Sequence, residues 1–119
     1  MNITLRNRKA YENGEHAEEI AQKLYGLEID RTNFIDGKYN GKPIEIKSCQ
    51  EWQRNGIRRC RGRFVLSRSQ HNELIEKGGY YLFIVQLEGG GIRHKVVKAA
   101  DVPFKRKLCW TKIFGGEEG

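Results

Sequence analysis

From residue 13 to residue 25 the apolar positions Ala17, Ile20, Ala21 and Leu24 recur at the i, i+3, i+4, i+7 spacing of an amphipathic helix, with Asn13 placed to cap its start and Gly26 to stop it. At roughly 100° per residue, Glu18 falls at the edge of that stripe and Glu19 opposite it. Glu18 can therefore reach a cleft at the rim of the core, while Glu19 faces water. The period then shortens to that of strands. Residues 27–35 and 42–49 read as the first two, with the hairpin signal Asn40-Gly41 between them, and Arg63-Phe-Val-Leu66 reads as a short third. Ser67-Arg-Ser-Gln70 matches a capping box, and Gly78-Gly79 closes a short helix that carries Leu74 and Ile75 inward. Gln70 and His71 each precede one of those side chains by four residues, which makes them polar groups at inward positions near the helix start. The unbroken run Tyr80-Tyr-Leu-Phe-Ile-Val85 predicts a strand buried on both faces, and Gly89-Gly-Gly91 turns the chain into a hairpin partner over residues 92–97. Beyond that point periodicity fades. Trp110 with Phe104, Leu108 and Phe114 reads as closing the core or forming a subunit interface.

Composition bounds what such a chain can be. The 119 residues, 38% hydrophobic and 31% charged, suit one domain with one core, and no internal repeat or linker divides them. The balance of 22 Lys+Arg against 15 Asp+Glu leaves +7, so a polyanion is the first partner to consider, nucleic acid ahead of a membrane. No apolar run approaches the roughly 18 residues of a spanning helix, and the N-terminus has no apolar signal-peptide core, which points to an intracellular protein of the cytoplasm or nucleoid. Cys49, Cys60 and Cys109 are odd in number and form no C-x-x-C pair, so neither a disulfide framework nor a standard zinc site is signalled.

The chemistry concentrates between Phe34 and Ser48. On an extended strand Ile44 and Ile46 share one face while Glu45 and Lys47 share the other, about 6.5–7 Å apart. Folding back at Asn40-Gly41 brings Asp36 towards Glu45, giving two carboxylates and a lysine around one point, a set suited to a hard cation and an attacking water. The order of helix with Glu18, strand ending at Asp36, strand with Glu45-Ile46-Lys47, strand, helix with Gln70, strand resembles the PD-(D/E)XK nuclease superfamily. Gly14-Glu-His-Ala-Glu18 ahead of a small sheet is similar to the archaeal Holliday junction resolvases. The resemblance covers about residues 13–86, with residues 87–119 as a C-terminal extension, and departs from the superfamily pattern at Ile35, where the name has proline. It implies an α/β fold with a restriction-endonuclease-like αβββαβ core, a mixed central sheet flanked by helices. It also implies an Mg²⁺-dependent endodeoxyribonuclease in which Mn²⁺ can substitute. Asp36, Glu45 and the backbone carbonyl of Ile46 would bind the metal, Glu18 would complete the site directly or through water, Lys47 would orient the attacking water, and Gln70 would steady Lys47, the water or a phosphate. Cutting both strands would call for two such sites, hence a homodimer.

Arg54, Arg58, Arg59, Arg61, Arg63 and Arg68 make a dense basic segment around Trp52, read as a loop that clamps DNA phosphates beside the site. Trp52 reads either as a stacking platform for an unpaired base or as a hydrophobic anchor. Junction cleavage leads the expected activities. A small restriction-like or homing endonuclease, a nucleic-acid-binding module with a spent site, and an RNA-processing enzyme are the rivals.

Overall fold

The computed structural model describes residues 17–29 and 35–115. Helix α1 (residues 17–25) buries Ala17, Ile20 and Ala21 against Ile44, Leu82 and Ile84, and stops at Gly26, whose φ of +63° a side chain would resist. Its predicted cap, Asn13, lies outside the described residues. Leu24 is 51% exposed, because Leu27, just past the glycine, takes the apolar place at that end of the helix.

The sheet departs from the expected first strand. Strand β1 (Glu28–Ile29) pairs antiparallel with β2 (Gly37–Tyr39), Glu28 opposite Lys38 and Ile29 opposite Gly37, so the chain has already reversed between them. Among the described residues of the expected strand 27–35 only Glu28–Ile29 is a strand and Ile35 lies outside any, so Asp36 introduces the second element instead of ending the first. Asn40 and Gly41, at φ 52° and 76°, make the predicted turn into β3 (Lys42–Gln50). Parallel to β3 runs β7 (Tyr80–Gln86), and β8 (Ile92–Lys98) follows antiparallel, giving the order β1-β2-β3-β7-β8. Tyr81 to Val85 are buried on both faces as the apolar run predicts.

Between β3 and β7 the chain forms the hairpin β4 (Trp52–Asn55) and β5 (Arg58–Arg61), then β6 (Arg63–Val65) and helix α2 (Arg68–Glu76). The expected third strand, β6, stays out of the central sheet. Both neighbours of β3 are taken by β2 and β7, so β6 pairs antiparallel with β9 (Lys107–Cys109). Ser67 caps α2 through a hydrogen bond from the Gln70 N–H. Leu74 is fully buried, but Ile75 is 44% exposed, so only one of the two apolar positions turns inward.

Two apolar clusters sandwich the sheet. One joins α1 to Ile44, Leu82 and Ile84; the other joins Leu74 of α2 to Tyr81, Phe83 and Val85, and to Leu108, Trp110 and Ile113 around β9 and helix α3 (Thr111–Phe114). The result is the expected mixed α/β architecture, a mixed central sheet flanked by helices. Trp110 and Leu108 close the core, and Phe104 and Phe114 pack against it. No helix among the described residues is long and apolar enough to cross a membrane.

Candidate functional site

Asp36 and Glu45 meet because the β2–β3 hairpin sets Gly37 opposite Ile44, which leaves the residues on either side of that pair in reach of each other. The backbone N–H of Asp36 donates to Glu45 Oε1 at 3.0 Å, and the N–H of Ile46 donates to Asp36 Oδ2 at 2.9 Å. Each carboxylate is thus held by the other residue's strand. Glu45 Oε2 lies 3.4 Å from Lys47 Nζ, and Lys47 Nζ donates to Gln70 Oε1 at 3.4 Å. Strand alternation puts Glu45 and Lys47 on the face covered by α2, so the first turn of that helix delivers Gln70 to them.

Glu45 is only 5% exposed. Burial first, and the neighbouring Asp36 charge second, push its carboxyl up to about 7 against the opposing pull of Lys47. Beside it in register stands Tyr81, whose phenol burial and the Glu45 charge push up to about 12. The Tyr81 hydroxyl and His71 Nδ1 are hydrogen-bonded at 2.9 Å, with their rings stacked. Burial, then Arg68, lowers the pKa of His71. Tyr81 is the residue of this neighbourhood that sequence reasoning passed over, since within an apolar run it reads only as core.

Glu18 sits half-buried on α1, one carboxylate oxygen fully buried, and that helix covers the Ile44 face of the sheet. The hydrogen bonds and ion pair described above join Asp36, Glu45, Lys47 and Gln70. Gly14 to His16, part of the resolvase-like motif, lie outside the described residues.

The basic segment is a β-hairpin instead of a loop. Cross-strand pairing sets Trp52 opposite Arg61 and Arg54 opposite Arg59, so these four share one face and Arg58 points to the other. The Arg59 and Arg61 guanidiniums stand 4.6 Å and 4.4 Å from the Trp52 ring centroid, making the indole a support for arginines. Arg59 also pairs with Glu88. Arg61 reaches Trp110 as well, half-buried Arg63 approaches the Cys60 thiol, and exposed Arg68 covers Phe104. At the C-terminal ends of β3 and β7 a cleft of about 680 Å³ opens between Gln50, Trp52, Arg54, Arg59, Gln86 and Glu88. Gln50 stands about 10 Å along the strand from Lys47 and, three residues on, belongs to the opposite face of β3.

The family model of the PD-(D/E)XK nuclease superfamily domain matches residues 4–115. The chain belongs to the PD-(D/E)XK nuclease superfamily. No curated protein and no solved structure matches it. Nuclease chemistry on a nucleic-acid substrate is the coarse function that membership in the PD-(D/E)XK superfamily carries, and the fold is consistent with its restriction-endonuclease-like architecture. The three cysteines are free, and no cluster of three or more His, Cys, Asp or Glu side chains occurs among the described residues. Side chains at the carboxylate pair alone would therefore not saturate a cation.

Proposed function

We propose that this nuclease-superfamily domain is a metal-dependent DNA endonuclease whose catalytic group is Asp36, Glu45, Lys47 and Gln70. The observation that carries the reading is the interlock of two carboxylates at one point with a lysine on the same strand face. The donor set fits Mg²⁺, with Mn²⁺ as a substitute. Its oxygens are hard, two like charges are forced together where Glu45 is already pushed up to about 7, and few protein ligands leave room for the waters and phosphate oxygens that Mg²⁺ prefers. Asp36, Glu45 and the Ile46 carbonyl would hold the cation, and Glu18 would complete the site directly or through water. When bound, such an ion lowers the pKa of its water and neutralises charge on the phosphate. Lys47, steadied by Gln70, orients the attacking water in line with phosphorus, and the arginine hairpin holds the flanking phosphates. The expected ends are 5′-phosphate and 3′-hydroxyl.

Within that reading, branched DNA cut by a homodimer is the finer proposal. Its support is the resemblance of Gly14-Glu-His-Ala-Glu18 and the D…E-x-K core to archaeal resolvases, together with a hairpin whose arginines suit sequence-independent phosphate contact. A sequence-specific restriction-like or homing enzyme, and a module that only binds, are its rivals.

The test compares wild-type protein and Glu45→Ala on labelled four-way junction, linear duplex, single-stranded DNA and RNA, each with Mg²⁺ or EDTA. Metal-dependent cutting lost in the variant, with paired symmetric cuts in the junction, is expected. Binding without cutting of any substrate would sink the nuclease reading, and cutting confined to one linear sequence would sink the junction reading.

A further inference from the structure

We propose that the β4–β5 hairpin enters a groove of duplex DNA and that Ile57, at its tip, is a wedge that unstacks a base step; this rests on the reading of the protein as a DNA endonuclease. Ile57 is 95% exposed, and Gly56 beside it makes the turn at φ +70°. A single exposed isoleucine is ordinary by itself. What distinguishes this one is the element that carries it. From Trp52 to Ser67 the chain contains no acidic residue, while Arg54 and Arg59 clothe one face of the ribbon and Arg58 the other. Cations on both faces match the two phosphate walls of a groove, and a two-stranded ribbon has the width to enter the major groove.

The ribbon is fastened at its root. Glu51 donates its N–H to the Gln86 carbonyl at 2.9 Å, and its own carbonyl accepts from Gly62 at 3.1 Å and from the Trp110 indole at 3.0 Å. Its carboxylate accepts the Glu88 N–H at 3.0 Å, and Arg59 pairs with Glu88 above it. Such a root keeps the tip aimed, so little ordering is left to be done on binding. The chain from Lys47 to Ile57 spans at most about 35 Å, one turn of duplex, so the wedge acts within a helical turn of the bond that Lys47 addresses. Minor-groove binders insert apolar side chains, isoleucine among them, between base steps, and the same insertion from this tip lets the buried side chain offset part of the lost stacking.

The experiment uses the full chain in EDTA, where cleavage plays no part, with a short DNA duplex carrying 2-aminopurine at spaced positions and a matched RNA duplex. Wild type should raise the 2-aminopurine fluorescence of the DNA. Ile57→Ala should bind roughly tenfold more weakly and abolish the rise. Ile57→Lys is the decisive variant: a wedge loses its signal despite the added cation, whereas a merely solvated tip yields no signal in wild type and binds the polyanion more tightly as lysine. Equal signals from wild type and Ile57→Ala, or a signal on RNA alone, would overturn the proposal. Cutting of the same DNA duplex after Mg²⁺ addition is scored separately. Unstacking with no cutting of either this duplex or a four-way junction supports the wedge while removing the nuclease reading, and cutting indifferent to Ile57 does the reverse.

Discussion

The backbone N–H of Asp36 donates to the side chain of Glu45, so the second carboxylate is positioned by the main chain of the first. Asparagine at Asp36 leaves that bond in place and keeps an oxygen able to accept from Ile46, removing only the carboxylate charge. Asp36→Asn should therefore fold and lose cleavage by two or more orders of magnitude, on the scale of removing one electrostatic group from a polar active site. Circular dichroism together with a single-turnover nicking assay checks both halves; an active Asp36→Asn would remove this residue from the chemistry.

Glu45 trades stability for its position. Its folded pKa of about 7 stands above the ordinary 4.5, so in metal-free protein its contribution is intact below about pH 4.5 and is lost as pH rises through about 7. Glu45→Gln, which keeps an acceptor for the Asp36 N–H, should match wild type in EDTA at low pH. By pH 8 it should be more stable by on the order of 3 kcal/mol, while being inactive. Urea melts of both proteins at pH 4, 6 and 8 measure this, and a variant less stable at pH 8 contradicts it.

His71 and Tyr81 share a buried hydrogen bond on the α2 side of the sheet. Tyr81→Phe leaves the imidazole without that partner and should cost about 1–3 kcal/mol. Adding His71→Phe should return part of the loss, giving a favourable coupling in a double-mutant cycle. Additive losses would show that the bond carries no stability.

Gly62 is fixed by lack of room. A Cβ there would lie 1.8 Å from the Gln50 carbonyl oxygen, an atom that cannot retreat without moving β3. Gly62→Ala should destabilise by more than about 3 kcal/mol, whereas Gly56→Ala, with open space around it, carries only the strain of its φ of +70°. Thermal melts rank the two, and equal tolerance would mean that the β3–β5 approach is loose.

Arg58 and Arg59 are neighbours in sequence on opposite faces of the ribbon, and only Arg59 is paired with Glu88. Arg58→Ala should flatten the dependence of log affinity on log salt by about 0.9, and Arg59→Ala by less. Fluorescence anisotropy over a salt series separates them; identical slopes would place both on phosphate.

Much of this was legible in the chain because it is local. Asn40-Gly41, the Ser67 cap, the Tyr80–Val85 run and the Glu45-x-Lys47 alternation each depend on a few adjacent residues, and each lies where expected. The misread features are settled by distant partners. Residues 27–35 cannot reveal that Ile29 faces Gly37, nor Arg63-Phe-Val that its partner is Lys107–Cys109. Trp52 offered a base platform or an anchor from sequence; the hairpin register turned it into a support for Arg59 and Arg61. Ile75 faces outward because the contact it was expected to make is met by Leu74.

The parallel pairing of β3 with β7 also orders events in time. Glu45 and Tyr81 become neighbours only after the intervening hairpin, β6 and α2 have been laid aside and a long loop has closed, a step whose entropy must be met before the contacts it permits are gained. The Asp36–Glu45 clasp joins residues nine apart across a tight turn, whereas Gln70 reaches Lys47 across twenty-three, a larger loop to close. A partly folded chain would hold its carboxylates together before its lysine is set, so competence for chemistry marks completion of the fold.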